Sequence, residues 1–106
     1  MAFADILRAA RARIEDPKNW TSDWYAKAAD GEKVASTDVK ATCWCALGAM
    51  ESAGASERGP EGMLLEASAQ ALFSRDIIDV NDEFGHGAVL KVYDAAIAAA
   101  EAEAGR

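Results

Sequence analysis

The sequence has few of the residues on which metal sites and covalent cross-links depend. Its 106 residues include two cysteines, one histidine and two prolines, and 11 basic residues stand against 18 acidic ones. These ligands are too few for a closed tetrahedral zinc site without carboxylates, and we expect neither a metal nor a cofactor. The formal net charge of −7 argues against direct nucleic-acid binding and against docking on anionic membranes.

Long apolar runs and a disulfide framework are also missing. Asp5 and Arg8 come before any apolar stretch develops, so we expect no signal peptide and no membrane span. Cys43 and Cys45 lie two positions apart, a spacing at which a disulfide would strain the backbone. Reduced thiols favour a cytoplasmic location, and the length favours a single domain over residues 1–106.

What is abundant is alanine, mixed with glutamate, and this composition favours helix. Apolar residues at helical spacing predict a first helix over Phe3–Glu15, which Pro17 ends. The segment Thr42–Ala53 is apolar on nearly every side and contains one charge, so it predicts a central, buried second helix. Gly54 is its expected C-terminal stop.

Two further helices are expected after Gly54. Gly59-Pro60 is a helix start, and the third helix should run to about Phe73. A short apolar bridge, Asp76–Val80, leads to a last helix from about residues 85–88 to Ala104. The expected inner face of the third helix is Leu64, Ala67, Ala71 and Leu72, and that of the last helix is Val89, Leu90, Tyr93, Ala96, Ile97 and Ala100.

The segment between the first two helices is less regular. Asp30-Gly31 is a tight-turn signal that predicts a short β-hairpin near residues 24–35, pairing Trp24–Ala29 with Glu32–Ala35. Trp20, Trp24 and Trp44 are interpreted as core aromatics, since no basic groove accompanies them. The expected fold is therefore mainly α: a compact bundle of about four helices around the buried second helix, with this small hairpin.

The residues able to carry chemistry lie in two short stretches. In the predicted second helix, Cys43 and Cys45 fall in the first turn, where the dipole favours a thiolate, and they point to different faces. His86 opens the last helix and Asp82 precedes it by four residues. These positions predict a tentative catalytic arrangement with Cys45 as nucleophile, His86 as base and Asp82 as the residue that orients it.

Each of these residues also has a structural interpretation. A free cysteine usually behaves as a small buried hydrophobe. Asn81 and Asp82 are common capping and turn residues, and His86 at a helix start commonly packs or forms hydrogen bonds. No complete nucleophile motif accompanies Cys45, so the structural interpretation is the simpler one.

The combination of Trp20, Trp44-Cys45-Ala46-Leu47-Gly48-Ala49, Asn81-Asp82, His86 and Val89-Leu90 resembles a family of small uncharacterised bacterial and phage proteins, a domain of unknown function. The resemblance covers nearly the whole chain. Cys43 falls outside the pattern, which favours Cys45 if either thiol is used. The resemblance implies no activity, substrate or cofactor.

Three functional hypotheses remain. The first is a small cytoplasmic binding or interaction module, with a protein partner and a phage or mobile-element origin. The second is a thiol-dependent enzyme that uses Cys45, His86 and Asp82. The third is an acidic mimic of nucleic acid that blocks a basic protein, suggested by Asp76, Asp79, Asp82 and Glu83. The small residues of the last helix would also suit a homodimer.

Overall fold

The computed structural model describes residues 3–104, and both ends of the predicted domain 1–106 lie outside the described residues. Within them the chain is mostly helical with one small sheet. The helices are α1 (Phe3–Ile14), α2 (Ala46–Ser52), α3 (Pro60–Phe73), α4 (Ile77–Asp79) and α5 (His86–Ala104). The strands are β1 (Ala26–Ala28), β2 (Lys33–Val34) and β3 (Ala41–Trp44). A 3-10 turn, Pro17–Asn19, follows α1, and a π-helical turn, Val80–Phe84, precedes α5. A mainly α fold is thus confirmed.

The core lies where the three longer helices and α2 meet. Helix α5 packs against α1 and α3, and α1 also packs against α2. The largest fully buried side chains include Leu7, Met50, Leu65 and Tyr93. The Tyr93 hydroxyl donates a 2.5 Å hydrogen bond to the Ala46 carbonyl at the start of α2. Burial raises the pKa of Tyr93, so this phenol stays protonated as the donor. No helix between residues 3 and 104 has the length and apolarity to span a membrane.

The predicted hairpin is present and has a third strand beside it. Strand β1 pairs antiparallel with β2 and with β3, in the order β2-β1-β3. The turn uses Gly31 at a φ of +87°, and Asp30 accepts a hydrogen bond from the Glu32 amide. Gly31 therefore adopts a conformation that other residues rarely take.

The expected start of the second helix is wrong. Residues 41–44 form β3, and α2 begins only at Ala46 with Cys45 as its N-cap. Thr42, Cys43 and Trp44 suit a strand, and they pair with β1, which supplies ladder hydrogen bonds that an isolated helical turn would lack. Cys43 is consequently not in a helix at all.

The bounds of α3 match the prediction, but its inner face does not. The residues of α3 that are buried are Glu61, Gly62, Leu65, Ser68 and Ala69. Ala67, Ala71 and Leu72 are exposed and Leu64 is half-buried. Apolar residues occupy both sides of α3, so hydrophobicity alone does not select a face; the small Gly62, Ser68 and Ala69 do, since they allow close packing. In α5, Val92 is buried, and the predicted Leu90 and Ile97 are only half-buried.

Helix α2 lies against the hairpin through Gly48. A Cβ atom placed on Gly48 would lie 1.9 Å from the carbonyl oxygen of Tyr25 and 3.3 Å from the Oγ atom of Ser36. The Tyr25 carbonyl also accepts a 3.0 Å hydrogen bond from the Cys45 amide. The backbone of Tyr25 is thus fixed at the place where α2 approaches it, and any side chain at position 48 would displace one from the other.

We therefore expect Gly48→Ala to lower the free energy of unfolding by about 2–3 kcal/mol, because the new methyl group meets backbone atoms. The measurement is urea denaturation. Gly87→Ala is the matched control: no atom lies within 4 Å of the added Cβ in α5, and we expect it to be neutral or stabilising by about 0.5 kcal/mol. Equal effects at the two positions would contradict the close approach at Gly48.

Candidate functional site

Asn81 lies at the centre of a buried group of hydrogen bonds and is only 2% exposed. Its side-chain oxygen accepts from the Trp20 indole nitrogen at 2.8 Å and from the Ala46 amide at 2.9 Å. Its side-chain nitrogen donates to the Thr21 carbonyl at 3.1 Å and to the Asp82 carboxylate at 3.0 Å. Both lone pairs of the oxygen and both protons of the nitrogen are therefore used.

This arrangement joins distant parts of the sequence through one side chain. The segment after α1 supplies Trp20, the start of α2 supplies Ala46, and the π-helical turn supplies Asn81 itself. An amide side chain is the group that can accept twice and donate twice at one point. One hydrogen-bond network therefore joins three parts of the motif: Trp20, Asn81 and Cys45-Ala46.

Cys45 takes part in the same region as the cap of α2. Its Sγ atom accepts a 3.3 Å hydrogen bond from the Gly48 amide. The pKa of Cys45 is raised, above all because burial disfavours the thiolate; the bonds from the Gly48 and Leu47 amides act against this, and the charges of Asp82 and Glu51 add to the increase. A raised pKa leaves less thiolate at neutral pH, which is the opposite of what a nucleophilic cysteine needs.

The other two predicted catalytic residues have partners of their own. The Nε2 atom of His86 lies 2.6 Å from the Ile14 carbonyl at the end of α1, and the His86 ring lies 5.7 Å from the Trp20 ring. The Asp82 carboxylate accepts from the Asp23 amide at 3.1 Å as well as from Asn81. Among the described residues, no hydrogen bond joins Cys45, His86 and Asp82 to one another. The catalytic arrangement stays a prediction.

The acidic stretch before α5 is engaged in local contacts. Asp76 accepts from the Asp79 amide, and Arg75 pairs with Glu83 at 2.8 Å and lies 4.0 Å from Asp79. Between residues 3 and 104, no three His, Cys, Asp or Glu side chains gather in a way that could hold a metal ion.

A groove beside the sheet is lined by an exposed aromatic side chain, and we call it the aromatic groove. Its volume is about 370 Å³. Its lining residues are Trp24, Tyr25, Lys33, Val34, Ala35, Ser36 and Glu51. Trp24 is 44% exposed, and its ring meets that of Tyr25 edge-on, with centroids 6.0 Å apart and planes at 81°. The Lys33 ammonium lies 5.1 Å from the centroid of the Trp24 ring.

One carboxylate forms part of this groove. Glu51 on α2 accepts a 2.9 Å hydrogen bond from the buried Ser36 hydroxyl, at its Oε1 atom. The Ser36 carbonyl in turn accepts from the Trp44 indole at 2.9 Å. The groove therefore combines two aromatic rings with a carboxylate whose position is fixed.

A second groove, of about 500 Å³, lies farther along the hairpin. It is lined by Ala28, Ala29, Asp30, Glu32, Val39, Lys40 and Thr42. It is the larger of the two, but it offers small and charged side chains and no aromatic ring. Large aromatic side chains dominate binding energies at protein interfaces, so the aromatic groove is the better candidate site.

Sequence reasoning missed this groove because it treated Trp24 as a core residue, and that interpretation is wrong. Trp20 and Trp44 are half-buried, whereas Trp24 is exposed. One signal was available. Glu51 is the only charged residue in the apolar segment of α2, and a lone carboxylate on a helix that is otherwise apolar indicates a place where the helix meets a polar surface.

The comparisons with known proteins supply a family and no activity. A family model matches residues 1–99, and its description is a family of unknown function, DUF6197. The chain belongs to this family, as the resemblance in its sequence suggested. Nothing matches among curated proteins or among solved structures.

We expect Asn81→Ala to lower the free energy of unfolding by about 3 kcal/mol, because the Trp20 indole and the Ala46 amide lose their acceptor while still buried. Urea denaturation monitored by circular dichroism measures the change. Asn19→Ala, at an exposed position of the 3-10 turn, is the control and should shift stability by less than about 0.5 kcal/mol. If Asn81→Ala lowers the free energy of unfolding no more than Asn19→Ala does, the role given to Asn81 is refuted.

For Cys45 we expect slow alkylation, because its raised pKa and its burial reduce the reactive thiolate. In the Cys43→Ser background, iodoacetamide should label Cys45 roughly tenfold more slowly in the folded protein than in urea at pH 8. The rate should rise with pH through a midpoint higher than that of the unfolded chain. A faster rate with a lower midpoint is what the thiol-enzyme hypothesis requires.

Proposed function

We propose that this member of DUF6197 is a small cytoplasmic binding module that holds a segment of a protein partner in the aromatic groove. The observation that carries the proposal is the half-exposed Trp24, which lies with Tyr25 along an open groove of about 370 Å³. Interfaces draw much of their affinity from a few aromatic side chains that fill or form such pockets. The unpaired state of Cys43 and Cys45 supports a reducing compartment.

The support for a binding role comes also from how the groove is built. Gly48 holds α2 against the Tyr25 backbone, and Glu51 stands one helical turn later with its carboxylate on Ser36. Residues three apart share a helix face, so one face of α2 both attaches to the hairpin and lines the groove. A site with such fixed walls loses little conformational entropy when a ligand enters.

The two alternative hypotheses have less support. The thiol-dependent enzyme needs a reactive Cys45, but burial raises the pKa of this thiol and its sulfur caps α2. The acidic mimic needs a free acidic face, but Asp76 accepts a backbone amide and Arg75 pairs with Glu83. Both stay predictions, as does a homodimer formed through the small residues of α5.

Selection of short peptides from a random display library on the immobilised protein tests the proposal. We expect selected peptides to lose affinity by about tenfold or more on Trp24→Ala, since the side chain is a main contact surface. Val39→Ala is the matched control, because Val39 is 99% exposed and lines the second groove. Peptides that bind the Trp24 variant as well as the wild type would overturn the proposal.

A further inference from the structure

We propose that the aromatic groove recognises an arginine side chain of the protein partner, seated against Trp24 and Tyr25 with its guanidinium at Glu51. The inference rests on the proposed binding function and names its chemistry. It follows from three features of the groove: an incompletely used carboxylate, an aromatic ring that already contacts a cation, and a negative local field.

The first feature is the Glu51 carboxylate. Within residues 3–104 its only hydrogen bond comes from Ser36, to the Oε1 atom. The second carboxylate oxygen has no hydrogen-bond donor among those residues. Ser36 is buried and its own carbonyl accepts a hydrogen bond from Trp44. These contacts fix the position of the Glu51 carboxylate. A fixed carboxylate with an unused oxygen suits a cationic donor, and it repels an anion.

The second feature is the ring of Trp24. Lys33 from the facing strand holds its ammonium 5.1 Å from the ring centroid. This distance falls within the range of a cation–π interaction, and tryptophan is the side chain that supports such contacts best. Lys33 therefore shows that a cation is accommodated at this ring. It also competes with any cation that a partner brings.

The third feature is the electrostatic field. The pKa of Tyr25 is raised, first by the negative charge of Glu57, then by burial, and then by Glu51 and Cys45. The negative charges of nearby carboxylates therefore act on the Tyr25 phenol. The whole chain has a net charge of −7, which favours the approach of a basic partner.

Arginine fits this combination better than lysine. A guanidinium is planar, stacks on an aromatic face and can donate to a carboxylate at the same time, and it is less strongly hydrated than an ammonium. The groove is lined by aromatic rings and a carboxylate, and its volume of about 370 Å³ is at the small end of the range for ligand pockets. One long side chain is therefore a better match than a folded ligand.

The test uses two peptides, acetyl-Gly-Arg-Gly-amide and its citrulline counterpart, which has nearly the same shape without the charge. Binding is followed by NMR shifts of the Trp24 indole and the Tyr25 amide. We expect saturable shifts with the arginine peptide and at least about tenfold weaker binding of the citrulline peptide. Equal binding of both peptides, or no binding of either, would overturn the assignment.

Two variants with matched controls test whether the guanidinium of the peptide binds beside Glu51 and Trp24. Glu51→Gln keeps an acceptor for Ser36 and removes the charge. It should weaken binding of the arginine peptide by about fivefold or more. Lys33→Gln removes the competing ammonium and should strengthen binding by roughly threefold. Glu32→Gln and Lys40→Gln make the same charge changes in the second groove and should have much smaller effects. Equal effects within either pair would mean that only overall charge matters.

The outcome separates this inference from the proposed function. Display-selected peptides that need Trp24 but contain no arginine would leave the binding module in place and overturn the arginine assignment. Arginine-rich selected peptides that ignore Trp24 would overturn both, because their affinity would come from the general negative charge.

Discussion

The fold depends on one amide side chain. Asn81 joins the Trp20 segment, the first residue of α2 and the π-helical turn, and it uses all four of its hydrogen-bonding positions. The three segments also pack together, since Ala46 and Val80 lie in one apolar core and Trp20 packs against it. The hydrogen bonds of Asn81 add directional contacts to this packing. Because an unsatisfied buried donor is costly, the network is strong only when it is complete. The π-helical turn, closed by the Gly85 amide on the Val80 carbonyl, points Asn81 inward.

The groove follows from the same constraint. Once the start of α2 is held at Ala46, Gly48 meets the Tyr25 backbone and Glu51 reaches Ser36. Two residues of the predicted catalytic arrangement have structural contacts of their own. Cys45 caps the start of α2 and His86 contacts the end of α1, whereas Glu51, near the other end of α2, lines the aromatic groove.

Much of this fold was predictable from local signals. Pro17, Gly59-Pro60 and Asp30-Gly31 mark the ends and turns because their backbone preferences act locally, and α1, α3 and the hairpin begin or end accordingly. The strand over Ala41–Trp44 was not predictable, since it depends on pairing with β1, a distant partner. The groove was missed for a related reason: the exposure of Trp24 depends on where α2 and β2 lie, and its own residue type favours burial.

Native-state hydrogen exchange tests the central role of Asn81 most directly. The two protons to follow are the Ala46 amide and the Trp20 indole, both donated to the Asn81 oxygen. If Asn81 holds the three segments together, both protons should exchange only on global unfolding, with the free energy obtained from urea denaturation. Exchange of either proton through a local opening several kcal/mol below that value would contradict the account, because the segments would then separate while the rest of the core stayed folded.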